Sequence, residues 1–328
     1  MNTMTGRKAL ALGLLVPLLA LTACGGDTTT GGGTQKTITI GTYGSGTTAL
    51  ATNVPAEFLE KNEQIQADHN IKVVSEEYSD LQTLYTDVTI GRIDVAIGGP
   101  SIIASNASTG APLAVGGTVA RSTNSVMSAG KPWTKEEIKG SRIVAQTSSG
   151  SWKAVQTRIS SNFGLEPGRD YELINSESTA AAAIQAATGK ADYAIVRAEQ
   201  ILIAQQQFPN LKVVANPEDL GLVAGRADWG YVLIVNTKKI DLESSDRLTR
   251  AIGDTTEWMK QHPDDVEQFA VSKGQTPGVT KQFLTSGDVN YDVQTLDEAR
   301  DDMKLEFEAL LKSGVIKEAP PSSVYGEK

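Results

Sequence analysis

The residues of this chain with chemistry to offer are glycines, hydroxyls, an arginine and a carboxylate, set at the ends of a repeated frame. Gly91-Arg92-Ile93-Asp94-Val95-Ala96-Ile97 returns as Gly189-Lys190-Ala191-Asp192-Tyr193-Ala194-Ile195. The first copy runs on into Gly98-Gly99-Pro100-Ser101, the second into Arg197-Ala198-Glu199. In an open α/β sheet, ligands sit beyond the carboxyl ends of the strands, so both tails are candidate ligand contacts. Gly98, Gly99 and Ser101 let backbone approach a ligand closely. Arg197 offers a two-pronged contact to a carboxylate or sulfonate, with Glu199 as its competing partner.

A third set is Gln146-Thr147-Ser148-Ser149-Gly150-Ser151-Trp152, between an expected strand and an expected helix. Free backbone N–H groups at a helix start favour an anion. Gln146, Ser148, Ser149, Gly150 and Ser151 add donors there, and Trp152 offers a flat apolar wall. Tyr43, Ser45, Gly46 and Tyr78 follow or end strands on the same side. Arg121 lies on an expected crossover, where a structural salt bridge competes with a ligand contact.

Catalytic readings do poorly. The two histidines, His69 and His262, lack metal-ligand spacing, so no metal and no cofactor is expected. Ser128-Ala129-Gly130-Lys131 matches a Ser-x-x-Lys nucleophile pair, but Pro132 follows where a helix must carry both side chains. Gly130-Lys131 and Gly189-Lys190 lack the remainder of a phosphate loop.

The elements that must position these residues alternate along the chain. Strands are expected at Lys36 to Ile40, Ile71 to Val74, Ile93 to Ile97, from Pro112, and at Ile138 to Ala145. Others are expected at Tyr171 to Ile174, Ala191 to Ile195, Leu211 to Val214 and Tyr231 to Val235. Helices are expected at Leu81 to Ile90 and Thr179 to Thr188, each closed by a glycine suited to a left-handed cap. Such alternation argues for an α/β fold of mostly parallel sheets flanked by helices. The last third is helical, with Asp246 to Gln261, Asp264 to Val271, and a capping box of Thr295 and Glu298.

The chain has 328 residues, 40% of them hydrophobic, enough for two lobes. Arg7 and Lys8 precede an apolar run from Ala9 to Leu21, laid out as a secretory signal. Leu21-Thr22-Ala23-Cys24 resembles a bacterial lipobox, which implies cleavage before Cys24 and lipid on its sulfur. Cys24 is the single cysteine, so a lipidated chain has no thiol or disulfide. Residues 24–35 read as a flexible tether. Net charge is -9, and removing Arg7 and Lys8 makes it -11. With no Lys/Arg run, nucleic acid is not an expected partner.

Thr39-Ile40-Gly41, Gly91-Arg92-Ile93-Asp94, Gly110-Ala111-Pro112-Leu113, Leu165-Glu166-Pro167-Gly168-Arg169-Asp170 and Ala191-Asp192-Tyr193-Ala194 carry a family resemblance, as does the segment from Trp258 to Phe269. Their order resembles a substrate-binding lipoprotein of an ABC importer, of the aliphatic-sulfonate/taurine/nitrate-like group that includes pyrimidine-precursor binders. The resemblance implies a two-lobed, type II periplasmic-binding-protein fold with two crossover strands and an interlobe ligand. Lobe 1 is then 36–126 plus 231–328, and lobe 2 is 127–230. Some relatives place a Trp-Asp-Pro segment where this chain has Arg197-Ala198-Glu199.

The expected function is capture of a small organic anion, a sulfonate or carboxylate, for a membrane permease. The expected protein is a monomer with no catalytic role, lipid-anchored through Cys24 at the outer face of the cell membrane. Alternatives are a receptor for a TRAP-type carrier, a binder of a neutral pyrimidine-like heterocycle, and a sensory surface receptor.

Overall fold

The computed structural model describes residues 35–43, 50–147, 150–197 and 199–327. The first lobe opens with β1 (Lys36–Tyr43), α1 (Asn53–Lys61), α2 (Glu63–Asp68), β2 (Ile71–Tyr78), α3 (Leu81–Ile90), β3 (Val95–Gly98), α4 (Pro100–Ala107) and β4 (Leu113–Arg121). The second lobe contains β5 (Ser125–Ser128), α5 (Lys135–Ile138), β6 (Arg142–Ala145), α6 (Gly150–Phe163), β7 (Glu172–Asn175) and α7 (Thr179–Ala187). It continues through β8 (Tyr193–Val196), α8 (Gln200–Gln207), β9 (Lys212–Ala215) and α9 (Pro217–Leu220). The chain returns to the first lobe as β10 (Trp229–Asn236), α10 (Leu242–Gln261), α11 (Pro263–Ser272), α12 (Val279–Ser286) and α13 (Leu296–Lys312), with a final 3-10 turn at Ser322–Tyr325.

Each lobe is built on a five-stranded sheet, in the orders β2-β1-β3-β10-β4 and β7-β6-β8-β5-β9. Both sheets are mixed rather than wholly parallel. β10 runs antiparallel to β3 and β4, and β5 antiparallel to β8 and β9. In each case the odd strand is the one that crosses between lobes, so it enters its sheet from the opposite end. The crossing segments lie side by side: the Ser122 N–H donates to the Asp228 carbonyl at 2.7 Å. A Cβ on Gly230 would come within 2.9 Å of Ser122 backbone, so only glycine permits this approach.

The repeated frame has one physical basis in both lobes. Gly91 and Gly189 adopt φ of 78° and 74°, ending α3 and α7 in the left-handed conformation that glycine tolerates best. Arg92 N–H then bonds Asp87 O at 2.8 Å, and Lys190 N–H bonds Gln185 O at 2.9 Å. The aspartate that follows ties the new strand to its neighbour. Asp94 Oδ2 accepts the Thr39 N–H and Asp192 Oδ2 accepts the Arg142 N–H, each at 2.8 Å. The repeated Asp is thus a strand clasp, and its chemistry is structural.

Apolar faces close both sides of each sheet. In the first lobe, Val95, Ile97, Leu233 and Val235 pack toward α1 and α10, while Ala96, Ile234 and Val232 pack toward α3, α4 and α13. This is the period-two alternation of a strand covered on both faces. In the second lobe, Val126, Ile143, Tyr193 and Ile195 form one core layer, and Met127, Val144, Ala194 and Val196 the other. Among the described residues no helix is long and apolar enough to cross a membrane.

Candidate functional site

β3 and β8 are the matching inner strands of the two lobes, and their carboxyl ends bring the two tails of the repeat into one region. Gly98 ends β3, where an added Cβ would lie 2.8 Å from both Cε1 and the hydroxyl of Tyr85. The glycine therefore serves the approach of Tyr85, one turn before the end of α3. Burial pushes the Tyr85 hydroxyl up to about 12, while the Gly99 backbone and the charge of Arg197 pull the other way. Arg197, at the end of β8 in the second lobe, thus acts through its charge on a tyrosine of the first. Tyr231 of β10 also acts on Tyr85.

Arg197 is half-buried, and among the described residues no carboxylate forms an ion pair with it. Among the described residues its one hydrogen bond is long, from Nη2 to Gln146 Oε1 at 3.5 Å. Gln146 is held in turn by Nε2, which donates to the Glu177 carbonyl at 3.3 Å. The guanidinium has five N–H donors in a fixed fork, and the described residues engage only one of its nitrogens.

Glu199 does not neutralise Arg197 by direct contact. Its residue is 4% exposed, and Oε2 is buried with no hydrogen-bond partner. Burial pushes its carboxyl up to about 7, against the pull of its own backbone and of Arg197. In the first lobe, the Tyr291 hydroxyl donates to the Leu50 carbonyl. Burial, then the Glu199 charge, pushes the Tyr291 hydroxyl well above its usual range.

Other expected contacts fall differently. Trp152 is not a wall of the cleft: it is 3% exposed and packs in the second-lobe core with Val155 and Ile159. Those residues stand three and seven positions on, one face of α6, and that face turns inward. Arg121 is a structural hinge residue. Its Nε meets Asp292 and its Nη2 meets Asp302, both at 2.8 Å, and its guanidinium lies 3.4 Å from the Trp229 ring centre. Arg226 reaches Asp302 at 3.2 Å and Glu306 at 3.1 Å. Burial pushes the Asp228 carboxyl up, and burial with the charge of Asp228 pushes Glu306 up to about 8.

Tyr78 is occupied within its own lobe, its hydroxyl donating to Asp87 at 2.8 Å. Tyr43 ends β1 half-buried, packed against the apolar layer that includes Leu84 and Ile93. A Cβ on Gly99 would meet the Gly230 carbonyl at 3.9 Å, an ordinary contact, and Ser101 is the second residue of α4. Gly150 and Ser151 open α6. Ser45, Gly46, Ser148, Ser149 and Cys24 lie outside the described residues.

Sequence reasoning missed Tyr85, Tyr231 and Tyr291. Tyr85 had a legible signal, since it lies within the helix that leads into the first repeat, six residues before Gly91. Tyr231 was read only as part of an apolar strand, and Tyr291 lies in a loop with no periodicity.

The residues of possible catalytic interest are otherwise engaged. Lys131 pairs with Asp192 at 3.1 Å, and Ser128 Oγ donates to the Asp192 carbonyl at 2.9 Å. His69 meets Asp254 at 2.7 Å, and His262 stacks on Trp258. Among the described residues no group of three His, Cys, Asp or Glu is arranged to hold a metal ion.

A model of the NMT1/THI5 like family matches residues 65–266, which include both crossing segments and the ends of β3 and β8. The chain belongs to the NMT1/THI5-like family. The fold is that of solved type II binding proteins. The aliphatic sulphonate binding protein SsuA from Escherichia coli is 14% identical with a TM-score of 0.67, covering 89% of this chain and 99% of that one. SsuA from Xanthomonas axonopodis pv. citri, bound to MOPS, is 16% identical with a TM-score of 0.63, covering 88% and 97%. An ABC transporter structure from Parabacteroides distasonis is 14% identical with a TM-score of 0.66, covering 90% and 100%. Among curated proteins none matches the chain by sequence.

Proposed function

We propose that this NMT1/THI5-like protein is the solute-binding component of an ABC importer, capturing a small organic anion between its lobes. One observation carries the choice of ligand class. Arg197 stands at a strand end, half-buried, with no carboxylate paired to it among the described residues. Arg121 and Arg226 show the contrast, each holding two carboxylates. A sulfonate or carboxylate supplies the acceptors that Arg197 lacks, and the fork geometry favours a planar or tripodal oxyanion. The sulfonate-type ligand named for the Xanthomonas SsuA structure is consistent with this reading. Trp152 packs in the core, which removes the stacking wall on which a neutral heterocycle would lie.

Calorimetry on Arg197 variants tests the assignment. A charge-assisted hydrogen bond contributes about 1.5–3 kcal/mol, so Arg197→Ala weakens binding roughly tenfold to a hundredfold. Arg197→Lys restores part of the loss, because lysine lacks the two-pronged contact. The unliganded melting temperature of Arg197→Ala stays near that of the parent. Unchanged affinity in Arg197→Ala removes the residue from the site.

The reading extends to the lobes, 36–126 with 231–328 and 127–230, and to a monomeric protein anchored through Cys24 at the outer face of the cell membrane. Two or three acyl chains hold a protein stably where one binds only marginally. Cys24→Ser therefore releases the protein from washed membranes while leaving ligand affinity intact. Variant still pelleting with membranes contradicts the anchor. A neighbouring permease and ATPase in the genome, rather than one large multispanning carrier, separates this importer from a TRAP-type system.

A further inference from the structure

A strand that ends in glycine offers a ligand its backbone alone, so selectivity must come from the side chains beside it. β3 ends at Gly98, and α3 places Tyr85 where residue 98 has no side chain. A Cβ there would lie 2.8 Å from both the hydroxyl oxygen and Cε1 of the tyrosine. The hydroxyl is thereby set at the carboxyl end of the strand, where ligands of open α/β sheets sit. β10 pairs with β3 so that Val232 stands opposite Gly98, and Tyr231 is the next residue toward the same end. Val232 and Ile234 face the apolar layer on which Tyr85 packs, whereas Leu233 and Val235 face the other layer, and Tyr231 packs with them. The two tyrosines therefore bracket the glycine end of β3, one from each face of the sheet.

A tyrosine taken out of water usually gives its O–H to an acceptor. Tyr78, Tyr193 and Tyr291 do so, to Asp87, the Pro132 carbonyl and the Leu50 carbonyl. Tyr85 and Tyr231 are both half-buried, yet among the described residues neither hydroxyl donates a hydrogen bond. Tyr171 also lacks a partner, but its ring lies in the second-lobe core, away from the strand ends. The end of β3 thus carries two hydroxyl donors whose acceptor is not among its described neighbours.

We propose that Tyr85 and Tyr231 are the specificity-determining contacts of the first lobe, and that their hydroxyls select an anionic head with three oxygens over a carboxylate. The inference rests on the organic-anion reading above and narrows it. The Arg197 fork pairs with two oxygens of a carboxylate or of a sulfonate alike. That contact reaches every oxygen of a carboxylate. A sulfonate keeps a third oxygen, which loses water on binding and is costly to leave without a donor. Free hydroxyls on the other lobe supply that donor.

Phenylalanine removes each hydroxyl and keeps its ring in place, so Tyr85→Phe and Tyr231→Phe test the pair beside Arg197→Ala. The probes for titration calorimetry are methane-, propane- and benzenesulfonate, each matched with acetate, butanoate or benzoate. The parent binds at least one sulfonate more tightly than its matched carboxylate. Each phenylalanine variant weakens that sulfonate roughly tenfold and the carboxylate far less, so the preference shrinks. Unliganded melting temperatures stay near that of the parent, because neither hydroxyl donates a hydrogen bond among the described residues. Sulfonate affinity that falls in Arg197→Ala but not in either phenylalanine variant overturns the role of the tyrosines and leaves the organic-anion reading standing. An equal loss for both heads, a lowered unliganded melting temperature, or a parent that prefers carboxylates overturns the selection. Silence of every pair contradicts the organic-anion reading, and this inference falls with it.

Discussion

Arg121 and Arg197 carry the same guanidinium, and their surroundings give them different work. Arg121 sits where two crossing segments meet α13, so Asp292, Asp302 and the Trp229 ring use its donors and its face. Arg197 ends a strand at the seam, where its neighbours are a glutamine, a tyrosine and a buried acid that does not reach it. Gly98 matters at the same scale. An alanine there drives its Cβ to 2.8 Å from Tyr85, an overpacking that costs about 1–3 kcal/mol. Gly98→Ala therefore lowers stability in urea unfolding and weakens ligand binding, because the tyrosine that lines the seam is displaced. Gly98→Ala in a Tyr85→Ala background costs much less, and the cycle isolates the contact. Equal costs in both backgrounds contradict the role given to Gly98. Some of this was legible in the sequence and some was not. The repeat located Gly98 and Arg197 correctly at strand ends, because glycine-capped helices and short apolar strands are local features. Trp152 was misplaced because its turn position suggested exposure, although Trp152, Val155 and Ile159 already share a helical face.

At the scale of elements, much of the alternation of apolar strands and helices was readable, although β5 was not and Ile138, read as the start of a strand, ends α5; the capping box at Thr295 and Glu298 is present in α13. Elements were misjudged where polar residues are buried. α10 begins at Leu242 rather than at Asp246, with Asp241 as its cap, because Ser244 and Ser245 face inward at 1% exposure each. Ser245 Oγ donates to the Gly116 carbonyl at 3.1 Å, a bond between β4 and α10 that no periodicity announces. α4, Pro100–Ala107, is rich in serine, asparagine and alanine, and nothing in its sequence demands a helix. It forms because Ile103, Ala104 and Ala107 are buried against the first sheet. The antiparallel entries of β5 and β10 were equally hidden, since strand direction is set by the chain's route between lobes and not by residue type.

At the scale of the whole molecule, the two lobes are the same strand order built twice, joined by a charged double crossing. The crossing holds Arg121, Arg226, Asp228, Asp302 and Glu306, and Leu202 of the second lobe adds an apolar contact to the first. The ends of β3 and β8 bear Gly98, Gly99 and Arg197. Capture of an organic anion there stabilises the folded chain as a whole, by about 2.7 kcal/mol when ligand stands at ~100 times its dissociation constant. In a chain of this size each kcal/mol raises the melting temperature by roughly 2–4 °C, well within reach of a thermal-shift assay. The most direct measurement is such an assay with matched pairs, each sulfonate or carboxylate beside its neutral amide, together with nitrate and free pyrimidines. The account predicts that at least one organic anion raises the melting temperature while its neutral partner does not. A shift produced by pyrimidines alone, with every anion silent, would contradict it.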